Sequence, residues 1–302
     1  MSSSSSYHAD IGKVHNTTDD IAFANLIRRW IVGFHGDIAP QNDDTLDRRV
    51  RVYMQQETLY REKVRFLLDL LPINFQYGLD IGSSAGGLSV ALAKQGIVME
   101  GIEPSQAGVE VSNTRAQRLG LKNVRFQQGV GENAPFPDNT FDFVISLAVL
   151  EHVQNVTAVV METYRVLKPG GWAYFEVPNN LFPFEGHYKM AWLPMMPKPL
   201  AKLYVRARGA YPEFLDHLHY MNRWIVMRHF RMAGFTGLKD VYGDFLSGKA
   251  AGATWAERSG RLARMPWSAT FVRLLCGSLP SAWFMNRAVC LIAMKPNNLN
   301  GH

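Results

Sequence analysis

A short segment between Asp80 and Ser89 is compatible with two different chemistries. Residues 82–86 read G-S-S-A-G, which matches the G-x-S-x-G pattern of a serine nucleophile on a strand-to-helix turn. The same segment also matches a strand, a glycine loop and a helix start, an arrangement that holds nucleotide-like cofactors at the free N–H groups of the helix. The rest of the sequence must decide whether Ser84 attacks a substrate or only occupies a cofactor loop.

A carboxylate ends the second predicted strand and favours the cofactor loop. Glu103 lies 21 residues after Gly82, and an acid about 20 residues past such a loop binds ribose hydroxyls in dinucleotide folds. Gly101 and Pro104 predict a tight turn around Glu103. Asp80 closes the first strand inside an apolar run, where an unpaired carboxylate would be costly.

An alternation of strands and helices positions these residues. Strands are predicted at 76–81, 97–103, 123–127, 141–146, 172–177, about 236–244 and 288–294, and helices at 86–95, 105–119, 153–167 and 221–233. Gly96 and Gly120 each follow a helix, where glycine tolerates positive φ. The alternation predicts a parallel sheet covered on both faces, with ligands beyond the carboxyl ends of its strands.

Three further segments extend this pattern. They are G-V-G-E-N-A-P-F-P at 129–137, S-L-A-V-L-E-H-V at 146–153 and K-P-G-G at 168–171. In order and spacing, residues 76–180 resemble class I S-adenosylmethionine-dependent methyltransferases, of the subgroup that includes the ubiquinone-biosynthesis methyltransferases. Residues 221–295 resemble them in outline. The resemblance implies an α/β, Rossmann-like methyltransferase fold: a seven-stranded, mostly parallel sheet with helices on both faces, an N-terminal helical arm and a lid insertion.

The resemblance also implies S-adenosyl-L-methionine as the cofactor and assigns positions to it. These are Asp80, Gly82, Ser84 and Gly86 against the methionine part, Glu103 on the ribose hydroxyls, Pro104 beside the adenine, Val130, Gly131 and Glu132 at the adenine edge, and Ser146 and Leu147 under the sulfonium. Two positions depart from the family pattern. Ser84 replaces a glycine, and Val130 replaces a frequent aspartate, so contact with the adenine amino group falls to the backbone or to Glu132.

Residues 179–220 interrupt the alternation and are predicted to form a substrate lid, because they are rich in Pro, Met, His and aromatic residues. The predicted acceptor-binding residues are Glu185, Tyr188, Trp192, His217 and Tyr220. His187 or His219 is a candidate for removing a proton from a hydroxyl acceptor; the alternative is a surface or hydrogen-bonding role. Glu185, the two catalytic candidates, Asp216 and His217 also offer metal donors, but no ligand spacing supports them, and the sequence predicts no metal.

Two rival interpretations are disfavoured. A nucleophilic Ser84 requires a later histidine and an orienting acid, and no pattern singles out an acid partner for His217, His219 or His229. Tyr164 and Lys168 match the Y-x-x-x-K of short-chain dehydrogenases, but Pro-Gly-Gly follows the lysine and puts it on a turn.

Composition bounds the class of protein. The chain has 302 residues, a net charge of +6 spread along its length and two cysteines, which argues against nucleic-acid binding and a disulfide framework and favours a cytoplasmic protein. No run of about 18 apolar residues predicts a membrane span. The predicted division is an N-terminal arm (1–43), a cofactor-binding core (44–178), the lid (179–220) and a C-terminal part of the core (221–302) with a basic helical insertion at 245–285.

Two regions allow alternatives that the sequence leaves open. Residues 245–285 are suited to a peripheral membrane contact or to packing on the domain or a partner subunit, and the oligomeric state is open. Glu57 lies on the apolar stripe of a helix predicted over 45–71, as a rim residue or as a carboxylate facing a cleft. The expected function is methyl transfer by in-line displacement to a small-molecule or lipid-like acceptor, preferably at oxygen; a nitrogen or carbon acceptor and a non-catalytic cofactor-binding protein are the alternatives.

Overall fold

The computed structural model describes residues 17–35, 43–71, 75–246 and 287–297. The helices are α1 (Thr18–His35), α2 (Asp43–Met54), α3 (Gln56–Leu59), α4 (Arg61–Leu70), α5 (Gly87–Ala93), α6 (Gln106–Arg118), α7 (Val156–Val166), α8 (Lys198–Ala207), α9 (Arg223–Met232) and α10 (Tyr242–Leu246). The strands are β1 (Tyr77–Ile81), β2 (Val98–Glu103), β3 (Val124–Gln128), β4 (Phe141–Leu147), β5 (Leu167–Pro178), β6 (Phe184–Glu185), β7 (Met190–Ala191), β8 (Thr236–Asp240) and β9 (Ala288–Met294). From residue 247 onward, the predicted insertion at 245–285 lies outside the described residues.

Seven strands form one sheet in the order β3-β2-β1-β4-β5-β9-β8. Strands β1 to β5 pair in parallel, and β9 is antiparallel to both of its neighbours. The predicted α/β fold with a mostly parallel sheet is therefore confirmed. Strand order reverses between β1 and β4, so the crevice at their carboxyl ends is where a ligand of such a sheet binds.

Apolar helices cover both faces of this sheet. One face packs against α4, α5, α6 and α10, and the other against α7 and α9. Strand β1 is buried on both sides, as expected for a central parallel strand. Its neighbour β4 approaches so closely that a Cβ on Gly78 would lie 2.2 Å from the Phe143 ring. Only glycine fits at this contact, which holds the two strands that flank the crevice together.

The helix predicted over 45–71 is instead three helices, α2, α3 and α4. The break follows from a buried arginine on α6. Arg115 donates to the carbonyl oxygens of Tyr53 and Met54 and pairs with Glu57 at 2.6 Å. Because the arginine side chain is only 2% exposed, it needs these carbonyl acceptors in addition to Glu57, and an unbroken helix would use them for its own N–H groups. Glu57, whose side chain is 13% exposed, is therefore a partly buried ion-pair partner of Arg115.

Smaller differences from the predicted elements have local causes. Strand β5 begins at Leu167 and includes the K-P-G-G segment, because Gly170 and Gly171 pair with Lys295 through backbone hydrogen bonds. Strand β8 ends at Asp240, and its carboxylate accepts the backbone N–H of Tyr242 at the start of α10. None of the described helices is long and apolar enough to cross a membrane.

Candidate cofactor and acceptor site

The loop after β1 is shaped by residues in the left-handed backbone region. Gly82, Ser84 and Gly86 have φ of 74°, 55° and 75°. Glycine adopts this region without cost, whereas a serine there is strained. The loop is anchored to β2, because the N–H groups of Gly82 and Ser83 both donate to the Ile102 carbonyl, at 2.9 and 3.0 Å. Ser84 thus stands at a position whose conformation favours glycine.

The described contacts of Ser84 support a structural role in this loop. Its N–H donates to the Glu103 carboxylate at 3.1 Å, and its carbonyl accepts from the Ser112 hydroxyl at 2.9 Å. Its side chain is hydrogen-bonded to Tyr53. None of these partners is a histidine, so the nucleophile-elbow interpretation finds no base next to Ser84.

Glu103 closes the loop from the end of β2. It is 4% exposed, and its carboxylate accepts the backbone N–H groups of Ser84 and Ser105 at 3.1 and 3.2 Å. Burial raises the pKa of this carboxyl, while the two N–H groups oppose the shift. The carboxylate is therefore held in one orientation at the crevice, where the ribose contact was predicted.

Asp80 places a second buried carboxylate beside this loop. Among the described residues, the Ser89 hydroxyl donates to its carboxylate at 2.6 Å, and burial raises the pKa of Asp80 to about 7, with the charge of Glu103 adding to the shift. Across the described ranges, no lysine, arginine or histidine forms an ion pair with Asp80 or Glu103. Two buried carboxylates without a cation fit a ligand that carries positive charge, such as a sulfonium with an amino group.

Helices α1 and α2 cover this loop from the N-terminal side. Trp30 and Tyr53 meet edge to face, with ring centroids 5.0 Å apart. A Cβ on Gly108 would lie 3.0 Å from Trp30 Nε1 and 2.9 Å from Glu103 Cγ, so the indole and the Glu103 side chain both pack against Gly108. The sequence predicted only an N-terminal arm over residues 1–43, because the partners of its apolar residues include Ala85 and Val111, which lie far along the chain.

The predicted adenine-side residues also make contacts within the protein. Glu132 Oε1 accepts the backbone N–H groups of Gln154 and Asn155 at 2.8 and 3.3 Å, so this carboxylate holds the start of α7. Val130 is 45% exposed, and Gly131 packs against the side chains of Ile81 on β1 and Val159 on α7. Pro104 is exposed, and its carbonyl accepts from the Gln128 amide at 2.9 Å. Contact of the adenine amino group with the backbone or with Glu132 stays a prediction.

The loop after β4 packs on the loop after β1. Ser146 donates its hydroxyl to the Ile81 carbonyl at 3.1 Å, and Leu147 ends the strand. A Cβ on Gly82 would lie only 2.4 Å from Val149 Cγ2. Since Glu151 follows Val149 by two residues, the β4–α7 loop brings Glu151 to the crevice.

Four side chains from this loop and the lid form a cluster of two carboxylates and two imidazoles. Ligand-capable atoms of Glu151, His152 and His187 lie within 4.8 Å of one another. Glu185, 5% exposed, accepts from His187 Nδ1 at 2.7 Å and from the Tyr188 backbone N–H at 2.6 Å. Glu151 Oε2 is buried and has no hydrogen-bond partner among the described residues, and burial raises the pKa of this carboxyl to about 7. The crevice thus gains a polar wall beside the expected position of the methyl donor.

The lid residues divide into those that face this cluster and those that do not. Glu185 and His187 belong to it. Burial and the charge of Glu185 raise the pKa of Tyr220, whose buried hydroxyl has no partner within the described ranges. Trp192 is instead 4% exposed in the core of the lid. His217 is exposed, and the Tyr188 hydroxyl donates to the Tyr211 carbonyl at 2.8 Å.

His219 contacts backbone rather than the cluster side chains. The backbone N–H of His219 donates to the Glu151 carbonyl, and its ring nitrogen Nε2 donates to the Val153 carbonyl, both at 2.8 Å. This ring therefore bridges the lid and the β4–α7 loop, and of the two catalytic candidates only His187 offers a ring nitrogen to the cluster.

A second polar group at the end of β5 was not found from sequence. Glu176 pairs with Lys63 at 2.5 Å and accepts from Tyr174 at 3.3 Å, and Cys290 Sγ lies 3.7 Å away. The pKa of Lys63 is raised by the carboxylate although burial opposes it. These residues come from α4, β5 and β9, and no local motif links them.

Comparison with known proteins supports the assignment that this geometry suggests. The profile of the methyltransferase domain family matches residues 79–175, from β1 to β5. The chain is 30% identical over 115 residues to the ubiquinone biosynthesis O-methyltransferase of Paracidovorax citrulli, covering 37% of this chain and 47% of that protein. It is 40% identical over 94 residues to norajmaline N-methyltransferase of Rauvolfia serpentina, covering 30% and 32%. The chain contains a class I S-adenosylmethionine-dependent methyltransferase domain.

The fold of the methyltransferase domain has a solved counterpart. A putative sarcosine dimethylglycine methyltransferase from Galdieria sulphuraria aligns with a TM-score of 0.52 at 15% identity, over 90% of this chain and 99% of that one. S-adenosylmethionine is the cofactor of this domain. The match to the curated relatives spans less than half of their length. The lid and the N-terminal helices, which carry His187 and Trp30, lie outside the matched domain.

Proposed function

We propose that this protein transfers the methyl group of S-adenosylmethionine to a small-molecule or lipid-like acceptor, preferably at a hydroxyl oxygen, in the cytoplasm. The observation that carries the proposal is the position of the Glu151, His152 and His187 cluster. It lies on the loop that packs against the cofactor loop, and the lid folds over it. A transferable methyl group and a polar acceptor site then face each other across one crevice.

The residues of the cofactor loop bind and orient the cofactor. When bound, S-adenosylmethionine supplies an electrophilic methyl group on a sulfonium. Asp80 offers negative charge to a cationic ligand, and Glu103 offers carboxylate oxygens to vicinal hydroxyls. Gly82 and Gly86 let the backbone approach. Because the leaving group is already activated, alignment and exclusion of water account for most of the catalysis that the protein must provide.

The polar side chains of the lid favour an oxygen acceptor. A neutral amine attacks with its own lone pair, whereas a hydroxyl is a weak nucleophile until its proton is removed or its oxygen is polarised. His187, oriented by the buried Glu185, is the group that we assign to this task. Phe214 packs against the His152 and His187 rings, with centroids 5.9 and 5.4 Å away, and gives the site an apolar wall suited to an organic acceptor.

Turnover of acceptor panels tests this proposal. Formation of S-adenosylhomocysteine is measured with phenols and catechols, carboxylic acids, amines and hydroxylated lipids. Turnover with hydroxyl acceptors, and its loss in His187→Ala with unchanged cofactor affinity, supports the proposal. Turnover with amines only would shift the acceptor to nitrogen, as in the N-methyltransferase relative. Cofactor binding without any turnover would indicate a non-catalytic binding protein.

A further inference from the structure

The Glu151 cluster has a composition and geometry that acid–base chemistry does not need. It combines a buried carboxylate with two imidazoles, all within 4.8 Å of one another. His152 Nε2 lies 3.8 Å from Glu151 Oε1, and the two imidazole rings are perpendicular with centroids 5.2 Å apart. Ligand atoms around one divalent ion lie roughly 3–4 Å apart, because each bond is about 2.0–2.2 Å long. The three ligand atoms, within 4.8 Å of one another, are therefore close to the spacing that one ion requires.

The second observation is the orphan oxygen of Glu151. Its side chain is 2% exposed, and its Oε2 has no hydrogen-bond partner among the described residues. A buried carboxylate oxygen left without a donor is costly, and in native proteins it is commonly explained by an ion or an ordered water. Here the orphan oxygen belongs to the same carboxylate that faces the two histidines.

The hydrogen bonds around His187 resemble those around a metal-binding histidine. A carboxylate oxygen only accepts hydrogen bonds, so Nδ1 of His187 carries the proton that it shares with Glu185. The lone pair of the neutral ring is then on Nε2. Metal-binding histidines are usually oriented in this way, by a carboxylate on the other ring nitrogen. Glu185 is itself fixed by the Tyr188 N–H at 2.6 Å.

We propose that Glu151, His152 and His187 bind a divalent transition-metal ion, with Zn²⁺ the best match, and that this ion holds the oxygen of the methyl acceptor. Two imidazoles and one carboxylate form the ligand set of catalytic zinc sites, which keep a fourth position open. The side chains of His152 and His187 are 38% and 29% exposed, so the open position faces the crevice. The inference rests on the proposed function and refines the role of His187 from proton acceptor to metal ligand.

The ion would activate a hydroxyl without a protein base. When a hydroxyl acceptor binds, the O–H bond breaks, an O–metal bond forms and the proton leaves to solvent. The acceptor oxygen would keep a lone pair, which would form the O–CH₃ bond as the S–CH₃ bond of the cofactor breaks. The sequence predicted no metal here, because Glu151 and His152 belong to the β4–α7 loop and were not grouped with the lid donors.

Zinc titration of the metal-stripped full chain tests the site. Calorimetry with Zn²⁺ alone, together with elemental analysis of the purified protein, is expected to give one ion per chain. Glu151→Gln and His187→Ala are expected to weaken Zn²⁺ binding by about 100-fold or more, and Glu185→Gln by about 10–100-fold. His229→Gln removes a half-buried histidine on α9, which contacts Thr157, and serves as the control with unchanged Zn²⁺ affinity. Co²⁺ absorption in the same proteins reports the geometry.

The outcomes separate this inference from the proposed function. Equal Zn²⁺ affinity in wild type, Glu151→Gln and His187→Ala, or no stoichiometric binding, would overturn the metal site. Full turnover of a chelator-treated enzyme would overturn it as well and would leave methyl transfer standing. S-adenosylmethionine affinity is measured in each variant, and an unchanged value shows that the fold and the cofactor site are intact. A metal-loaded protein that binds cofactor but turns over no acceptor would instead refute the proposed activity.

Discussion

Replacing Asp80 with asparagine should change how stability depends on pH. Asp80 is buried at the end of β1, accepts one hydrogen bond from Ser89, and faces Glu103 and the Tyr60 ring from two packed elements. Asparagine has nearly the same shape and still accepts from Ser89. The variant therefore removes the ionisable group while leaving the packing in place, so the pH slope isolates the cost of burying its charge.

The magnitude follows from the pKa of about 7, against an ordinary value of 3.8. Between these values the folded protein holds a proton that the unfolded chain has released. The free energy of unfolding therefore falls by about 1.4 kcal/mol per pH unit as pH rises. From pH 5 to pH 7 this amounts to about 3 kcal/mol, and above pH 7 the loss levels off. Asp80→Asn should thus gain about 3 kcal/mol relative to wild type between pH 5 and pH 8.

Urea unfolding of the cofactor-free protein at pH 5, 6, 7 and 8 measures this difference. The control is Asp69→Asn, which changes an exposed aspartate on α4 and is expected to give a difference independent of pH. With saturating S-adenosylmethionine the order should reverse at pH 8, because the positive charge of the cofactor favours the ionised Asp80. An Asp80→Asn difference that is the same at pH 5 and pH 8 would refute this account of the buried carboxylate.

Three further substitutions test the cofactor loop and its support. Ser84→Gly should keep cofactor affinity within about threefold and change stability by less than about 1 kcal/mol, because relief of the left-handed conformation offsets the added flexibility; calorimetry and urea unfolding measure both, and a loss of binding would contradict the structural role. Glu103→Ala should weaken cofactor binding by about 100-fold, since it removes two charge-assisted hydrogen bonds, and equal affinity would contradict the ribose contact. Arg115→Met should destabilise the protein by about 3–5 kcal/mol in urea unfolding, because Glu57 is left partly buried without its partner; a cost under about 1 kcal/mol would contradict the ion pair.

The cofactor half of the site was predictable because its signals are local. The left-handed positions of the β1 loop require glycine or a small residue, and a strand of buried apolar residues must precede them. Glu103 follows at a distance set by one helix and one strand, so counting along the chain was enough to place it. On the adenine side, the sequence could not show whether Glu132 binds the cofactor or the protein backbone. In the structure its carboxylate accepts a backbone N–H just before α7.

The order of the core strands and helices, the cofactor loop and the carboxylate that closes it can be predicted from the sequence, since each depends on neighbours within a few residues or one βα unit. Which side chains of the lid reach the crevice depends instead on tertiary packing. Glu151 and His187 are separated by 36 residues along the chain, and they meet because β5 carries the chain across the sheet and the lid folds back over β4. Trp192 and His187 belong to the same lid, but packing buries Trp192 in the lid core and turns His187 toward Glu151. Side-chain direction in an irregular segment depends on such packing, which has no period in the sequence.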